Sequence, residues 1–221
     1  MGEEVSDSLL RNLIAKGHRV RPSPEIQSFG DPASADVQIL VARSPHGQAA
    51  TWSPMEMIYY GEGIMLSTVK SDSHVFQRFA LDVAKNVNLV GVALVGVKRV
   101  GSDIAIHSLN VGPTIWAAWC NSGARTNQYE QHIRALFDLP LGDTRLTSPS
   151  VVAGYFSAEP NGNLFRPYLH LMARNPELKF EQFGYELEGF QGSVMVQGEG
   201  LLDLRLTIEH ALDFMNGVID E

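Results

Sequence analysis

Apolar positions recur along this chain with two periods, and the places where the period changes outline its elements. Leu9, Leu10, Leu13 and Ile14 fall at helical spacing, with Gly17 as a stop. The stretch 21–36 is rich in Pro, Ser, Gly and Asp and reads as a loop. VQILVAR at 37–43 predicts a strand, SPHGQ at 44–48 a turn, and AATWSPMEMIYYGEG a return strand that Pro54 confines to an edge or a bulge. Residues 74–87 place Val75, Phe79, Leu81, Val83 and Val87 partly on one helical face and read as an amphipathic helix.

LVGVALVGVKRV is apolar on both faces and predicts a buried strand; DIAIHSLNV returns beside it after a short turn at 100–103. Thr126 is placed to cap a helix through NQYEQHIRALFDL, where Tyr129, Ile133, Leu136 and Phe137 follow helical spacing and Pro140 and Gly142 end it. Beyond 150, VVAGYF, PYLHLMA and GSVMVQGEG suggest short strands, and LLDLRLTIEHALDFM a final helix capped by Gly217. Residues 176–190 show no clear period and read as a solvated, acid-rich loop. The fold class is α+β: a mainly antiparallel sheet flanked by helices, divided as 1–34 (helix and loop), 35–148 (core) and 149–221 (a small strand-rich unit ending in a helix).

Composition narrows the functions. At 221 residues and 44% hydrophobic content the chain can bury a large core. Its 25 acids against 17 bases, net −8, argue against nucleic acid, whose phosphates demand clustered Lys and Arg. No apolar run is long enough for a bilayer and the first twenty residues lack a signal-peptide core, so a cytoplasmic protein is expected. The single cysteine, Cys120, excludes an internal disulfide and a multi-cysteine metal site.

Candidate chemistry is sparse. His46, His74, His107 and His170 are too scattered to suggest a metal, and no nucleophile-elbow motif is present. NSGART at 121–126 is either an anion-binding turn at a helix N-terminus or a plain capping turn. His132 and Arg134 either serve a ligand or make structural hydrogen bonds. Trp116, Trp119 and Cys120 either plug a pocket or line a new apolar one.

One group of motifs is more specific. Asn121-Ser122-Gly123, then QYEQHIRAL at 128–136 and LPLG at 139–142, resemble the C-terminal half of N5-carboxyaminoimidazole ribonucleotide synthase, an ATP-grasp family. VQILVAR, GEGIMLSTVKSD, LVGVALVGV and PYLHLMAR resemble other family segments in the same order, covering roughly 35–215. The resemblance implies an ATP-grasp-like core, ATP and Mg²⁺ as family cofactors, and carboxyl transfer from bicarbonate to an aminoimidazole ribonucleotide. It also implies a homodimer, or a heteromer with a genuine synthase.

Residue by residue, the same resemblance implies a loss of chemistry. The family's two metal-holding acids match Gly96 and Ser108, neither of which can bind a hard cation as a carboxylate does. The basic and imidazole groups before and after the NSG are replaced by WAAWC and Ala124, with Arg125 displaced by one residue. The late basic cluster becomes GFQGS, and the nucleotide-binding lid has no counterpart between about 27 and 35. What is left is a remnant ligand site of Asn121, Ser122, Gly123, Arg125 and Arg43, which could take a small anionic or apolar ligand. The expectation is a non-catalytic relative with no cofactor and no metal. The open alternatives are an enzyme acting through substituted residues and a small-ligand binder with a remodelled pocket.

Overall fold

The computed structural model describes residues 28–61, 63–101, 103–157, 165–187 and 189–217. The expected helix around Leu9–Ile14 lies outside them. The described residues form nine strands: β1 (Val37–Arg43), β2 (Ala49–Thr51), β3 (Met55–Tyr60), β4 (Gly63–Thr68), β5 (Gly91–Val100), β6 (Asp103–Val111), β7 (Ser150–Phe156), β8 (Lys179–Leu187) and β9 (Phe190–Gly198). The helices are α1 (Ser73–Asn86), the single turn α2 (Cys120–Gly123), α3 (Gln128–Leu136), α4 (Phe165–Arg174) and α5 (Leu201–Met215). Among the described residues no helix is long and apolar enough to cross a membrane.

All strands join one antiparallel sheet in the order β6-β5-β1-β3-β4-β7-β9-β8, with β2 on β1. The return strand expected through Pro54 is two strands. β2 pairs with the end of β1 and β3 with its start, and the break at 52–54 falls where Pro54 can donate no ladder bond. GIMLST, not read as a strand from the sequence, is buried throughout as β4 and carries β7 on its far side. The strand-rich C-terminal third therefore continues the core sheet, and the expected division near 148 marks no break in the hydrogen-bonding.

Alternation sorts the side chains. Val37, Ile39, Val41, Val95 and Val97 face α1, whose Phe76, Ala80 and Ala84 recur every four residues. On the same face Val152, Val194 and Val196 meet Ile208, Ala211, Leu212 and Met215 of α5. Gly154 allows that approach, because a Cβ there would lie 2.7 Å from Ile208 Cγ2. The opposite face is covered by the 112–127 segment, which carries Trp116, Trp119 and Cys120 into a core with Leu40, Leu94, Leu66 and Tyr155.

Two expectations are corrected. PYLHLMA is not a strand but part of α4, with Leu171 buried and Tyr168, three residues earlier, packed beside the same core. The 176–190 loop is largely β8, whose register against β9 shifts between Gln182 and Leu187, which erases a clean period of two.

The stretch 28–35 is a strap. Phe29 exchanges two backbone bonds with Leu109 at the outer edge of β6, each 2.9 Å, and Ser28 Oγ accepts from Val111 N. The chain then crosses toward β1 through a 3₁₀ turn at Pro32–Ser34, capped by the Asp31 carboxylate. Gln38 Nε2 donates to Pro32 O at 3.0 Å, and Tyr59 Oη donates to Ala33 O.

Candidate functional site

The two positions matched to metal-holding acids are direct partners: Gly96 of β5 opposes Ser108 of β6, and Gln38 of β1 opposes Gly96 from the other side. The β5–β6 register shifts immediately after Gly96. A Cβ at 96 would lie 2.1 Å from Ser108 Oγ and 3.0 Å from Ala35 Cβ, so the strand crossing is closed around a residue without a side chain. Ser108 and Gln38 are each 1% exposed, and Ser108 Oγ and Gln38 Oε1 have no hydrogen-bond partner among the described residues. Two neutral oxygens do not fit Mg²⁺, which requires near-octahedral oxygen coordination anchored on carboxylate or phosphate. The pair does not suit the Mg²⁺ that the resemblance implies.

The QYEQHIRAL motif forms α3, and its polar residues are occupied with backbone. Asn127, not Thr126, is the N-cap, its side chain accepting from Glu130 N at 2.9 Å. Cys120 Sγ takes the Gln128 amide. Gln128 clamps Thr114 at both its N–H and its C=O, and Gln131 does the same to Gly142. Arg134 holds Glu130 and Pro140 O. His132 Nδ1 accepts from Val92 N at 3.1 Å, against Gly91, whose φ of +108° and lack of Cβ let the ring approach. Burial pushes His132 below its ordinary pKa and keeps it neutral, as an acceptor must be. These residues are structural, and the capped N-terminus leaves little free donor capacity for an anion.

Only part of the remnant site assembles. Asn121 Nδ2 donates to both oxygens of Glu181, at 2.9 and 3.2 Å. Ser122 lines a small cleft of about 40 Å³ with Trp119, Lys179, Glu181, Ser193 and Met195, between α2 and β8–β9. Gly123 is buried, its missing Cβ filled by Val151 and Met195. Arg125 points elsewhere, 3.6 Å from Asp143, whose carboxyl Arg145 holds down at about 2. Arg43 donates to Leu89 O at 3.0 Å and ties the α1–β5 connection. Neither arginine lines the cleft. Sequence reasoning missed Lys179 and Glu181 because 176–190 read as solvated loop; their alternation with Phe180 was the available signal.

The tryptophans form no shared pocket. Trp116 is enclosed, with ring centroids 5.1 Å from Tyr155 and 5.4 Å from Phe190, while Trp119 alone reaches the cleft. Cys120 is wholly buried, and desolvation raises its thiol to about 12, which excludes a thiolate nucleophile near neutral pH. Among the described residues no three His, Cys, Asp or Glu side chains converge as metal ligands.

The sheet and its helices define an ATP-grasp-type fold. The phosphoribosylaminoimidazole carboxylase ATPase subunit of Aquifex aeolicus superposes with a TM-score of 0.70 at 16% identity, covering 82% of this chain and 56% of that one. The N5-carboxyaminoimidazole ribonucleotide synthetase of Thermotoga maritima gives 0.69 at 19%, covering 80% and 51%. No family model matches the chain. The N5-carboxyaminoimidazole ribonucleotide synthase of Mycobacterium tuberculosis is 31% identical over 196 residues, 83% of this chain and 44% of that protein. That of Corynebacterium ammoniagenes is 32% identical over 139 residues, 57% and 33%. The chain is thus a relative of the C-terminal region of N5-carboxyaminoimidazole ribonucleotide synthase. It spans less than half the length of these curated relatives.

Proposed function

We propose that this chain is a non-catalytic relative of the synthase, kept as a cytoplasmic binding or assembly module that pairs with itself or with a genuine synthase. The observation carrying this reading is the Gly96–Ser108 pair: where the resemblance places two carboxylates, the strands meet around a hydrogen atom and a hydroxyl. Lost charge of this kind typically removes a factor of hundreds or more in rate per group. The engagement of His132 with the Val92 amide, of Arg134 with Glu130 and Pro140 O, and of Arg43 with Leu89 O is consistent with it, because these groups serve the fold.

The test is calorimetric titration with Mg²⁺ and ATP or ADP, together with phosphate release in the presence of bicarbonate and aminoimidazole ribonucleotide. The expected result is no turnover above a no-enzyme control and no binding tighter than roughly millimolar, about −4 kcal/mol. Mg²⁺-dependent turnover would overturn the reading. A second reading, a small-ligand binder, is favoured by the cleft between α2 and β8–β9, where Lys179 and Glu181 offer both charges beside Trp119. Its capacity suits only a very small polar molecule.

A further inference from the structure

We infer that residues 28–35 are a permanent strap that closes the β5–β6 end of the sheet without any ligand, so that this face is shut by the fold itself and not only stripped of acids. The inference rests on the proposed function only in taking Gly96 and Ser108 as the positions of the lost carboxylates.

Contacts on three strands fix the strap. At the outer edge, Phe29 and Leu109 exchange both backbone bonds, which makes residue 29 a one-residue extension of the sheet beyond β6. Across the face, Gly30 takes φ of +71° with its backbone pressed on β6: a Cβ there would meet His107 O at 2.3 Å and Ser108 Cα at 2.9 Å. At the far side Ala35 Cβ fills the space in front of Gly96, Asp36 N donates to Val97 O at 2.9 Å, and Gln38 reaches back to Pro32 O. Asp36 is itself secured by the Arg99 amide at 2.7 Å and the Lys98 ammonium at 3.1 Å. The strap thus spans the row Ser108–Gly96–Gln38 from one end to the other.

This arrangement makes the closure complementary to the loss of side chain at 96. Any residue larger than glycine at 96 would strike Ser108 and Ala35 together, so a restored acid at that position has no space while the strap is seated. A partner binding this region meets one surface at all times, independent of nucleotide.

Amide hydrogen exchange on the full chain tests the inference, measured alone, with EDTA and with Mg²⁺ and ATP. The Leu109 and Phe29 amides are expected to be protected by roughly a hundredfold or more in the free protein and to be indifferent to both additions. Gly30→Ala, which forces a Cβ into His107 O, should cut protection at Leu109 by roughly tenfold or more while leaving the Val95 amide of the core unchanged. Should that variant fail to fold, Phe29→Pro, which removes the donor to Leu109 O and also holds φ away from the extended strand, is expected to do the same at the edge. Unprotected Leu109 in the free protein, or unchanged protection in the variants, would sink the strap and leave the non-catalytic reading standing. Protection that appears only with Mg²⁺ and ATP would remove both.

Discussion

Replacing His132 probes whether the motif helix is architecture. Its Nδ1 is the acceptor for the Val92 amide at 3.1 Å, and the ring lies against Gly91, where no side chain intervenes. His132→Ala leaves that amide without its acceptor, a cost of about 1–3 kcal/mol. It also empties the ring's volume at a half-buried position, so the total should reach about 2–4 kcal/mol. His132→Asn presents Oδ1 close to the Nδ1 position and should recover most of the loss. Protonation adds a second signature. Burial holds the folded-state pKa below the unfolded value of about 6.5, so above that pH the group is neutral in both states and has no effect. As pH falls below about 6.5 the unfolded chain takes a proton that the folded chain refuses, and stability declines by up to about 1.4 kcal/mol per pH unit until the folded pKa is reached. Urea unfolding at pH 8 and at pH 5.5 measures both effects. The wild type should lose more between the two than His132→Asn, which has no imidazole to protonate. Equal losses, or an Ala variant within about 0.5 kcal/mol of wild type, would refute the structural role.

Other outcomes follow from the same geometry. Trp116→Ala, removing an enclosed ring from Tyr155 and Phe190, should cost about 3–5 kcal/mol in thermal or urea unfolding; a loss under about 1 kcal/mol would mean that the aromatic plug is loosely packed. Cys120, with its thiol near 12, should react with a disulfide reagent at neutral pH only as fast as the protein opens, so the rate should rise steeply with urea. The Tyr129 phenol is raised first by burial and then by the Glu181 carboxylate. Glu181→Gln should therefore shift its ultraviolet titration toward lower pH, and an unmoved curve would contradict the placement of β8 near the start of α3. Gly96→Ala should destabilise by about 1–3 kcal/mol through overpacking against Ser108 and Ala35; Gly96→Ala/Ser108→Gly, which removes the struck hydroxyl, should recover part of it.

How far the fold was legible depended on how locally each element is specified. The run at 91–97 reads as a buried strand because both of its faces are apolar, and β5 is buried on both between β1 and β6. The helices at 73–86 and 128–136 were legible as elements but not by their faces. Val75 is exposed while Phe76, Ala80 and Ala84 form the buried stripe of α1, and Tyr129 and Ile133 are exposed while Gln128, Gln131 and Ala135 are buried in α3. Tertiary packing and the glutamine clamps, not apolar spacing, choose the inward side. The strand β8 was not legible, because its register shift breaks the alternation on which a strand is recognised. Nor was α4: the run Tyr168-Leu169-His170-Leu171-Met172, apolar but for His170, suits either period, and only packing against the α5 side of the sheet selects Leu171 as the buried one. For the site, the absence of acids at 96 and 108 is a statement about residue types and was visible at once. That the two positions face each other is a fact of register, and that residues 28–35 lie over them depends on Gly30 and on backbone pairing with Leu109, which no local pattern encodes.

The paired glutamine clamps of α3 have a consequence for how such chains are recognised in genomes. Gln128 and Gln131 each hold a loop backbone at two points, and His132 and Arg134 hold two more. The most diagnostic string in the sequence is therefore under mechanical constraint even where no reaction occurs. A search keyed on it will retrieve ancestry and architecture together; under the non-catalytic reading proposed above, tallies of purine-synthesis capacity drawn from this helix alone would overcount, and the residues at the β5–β6 crossing would be the ones to compare.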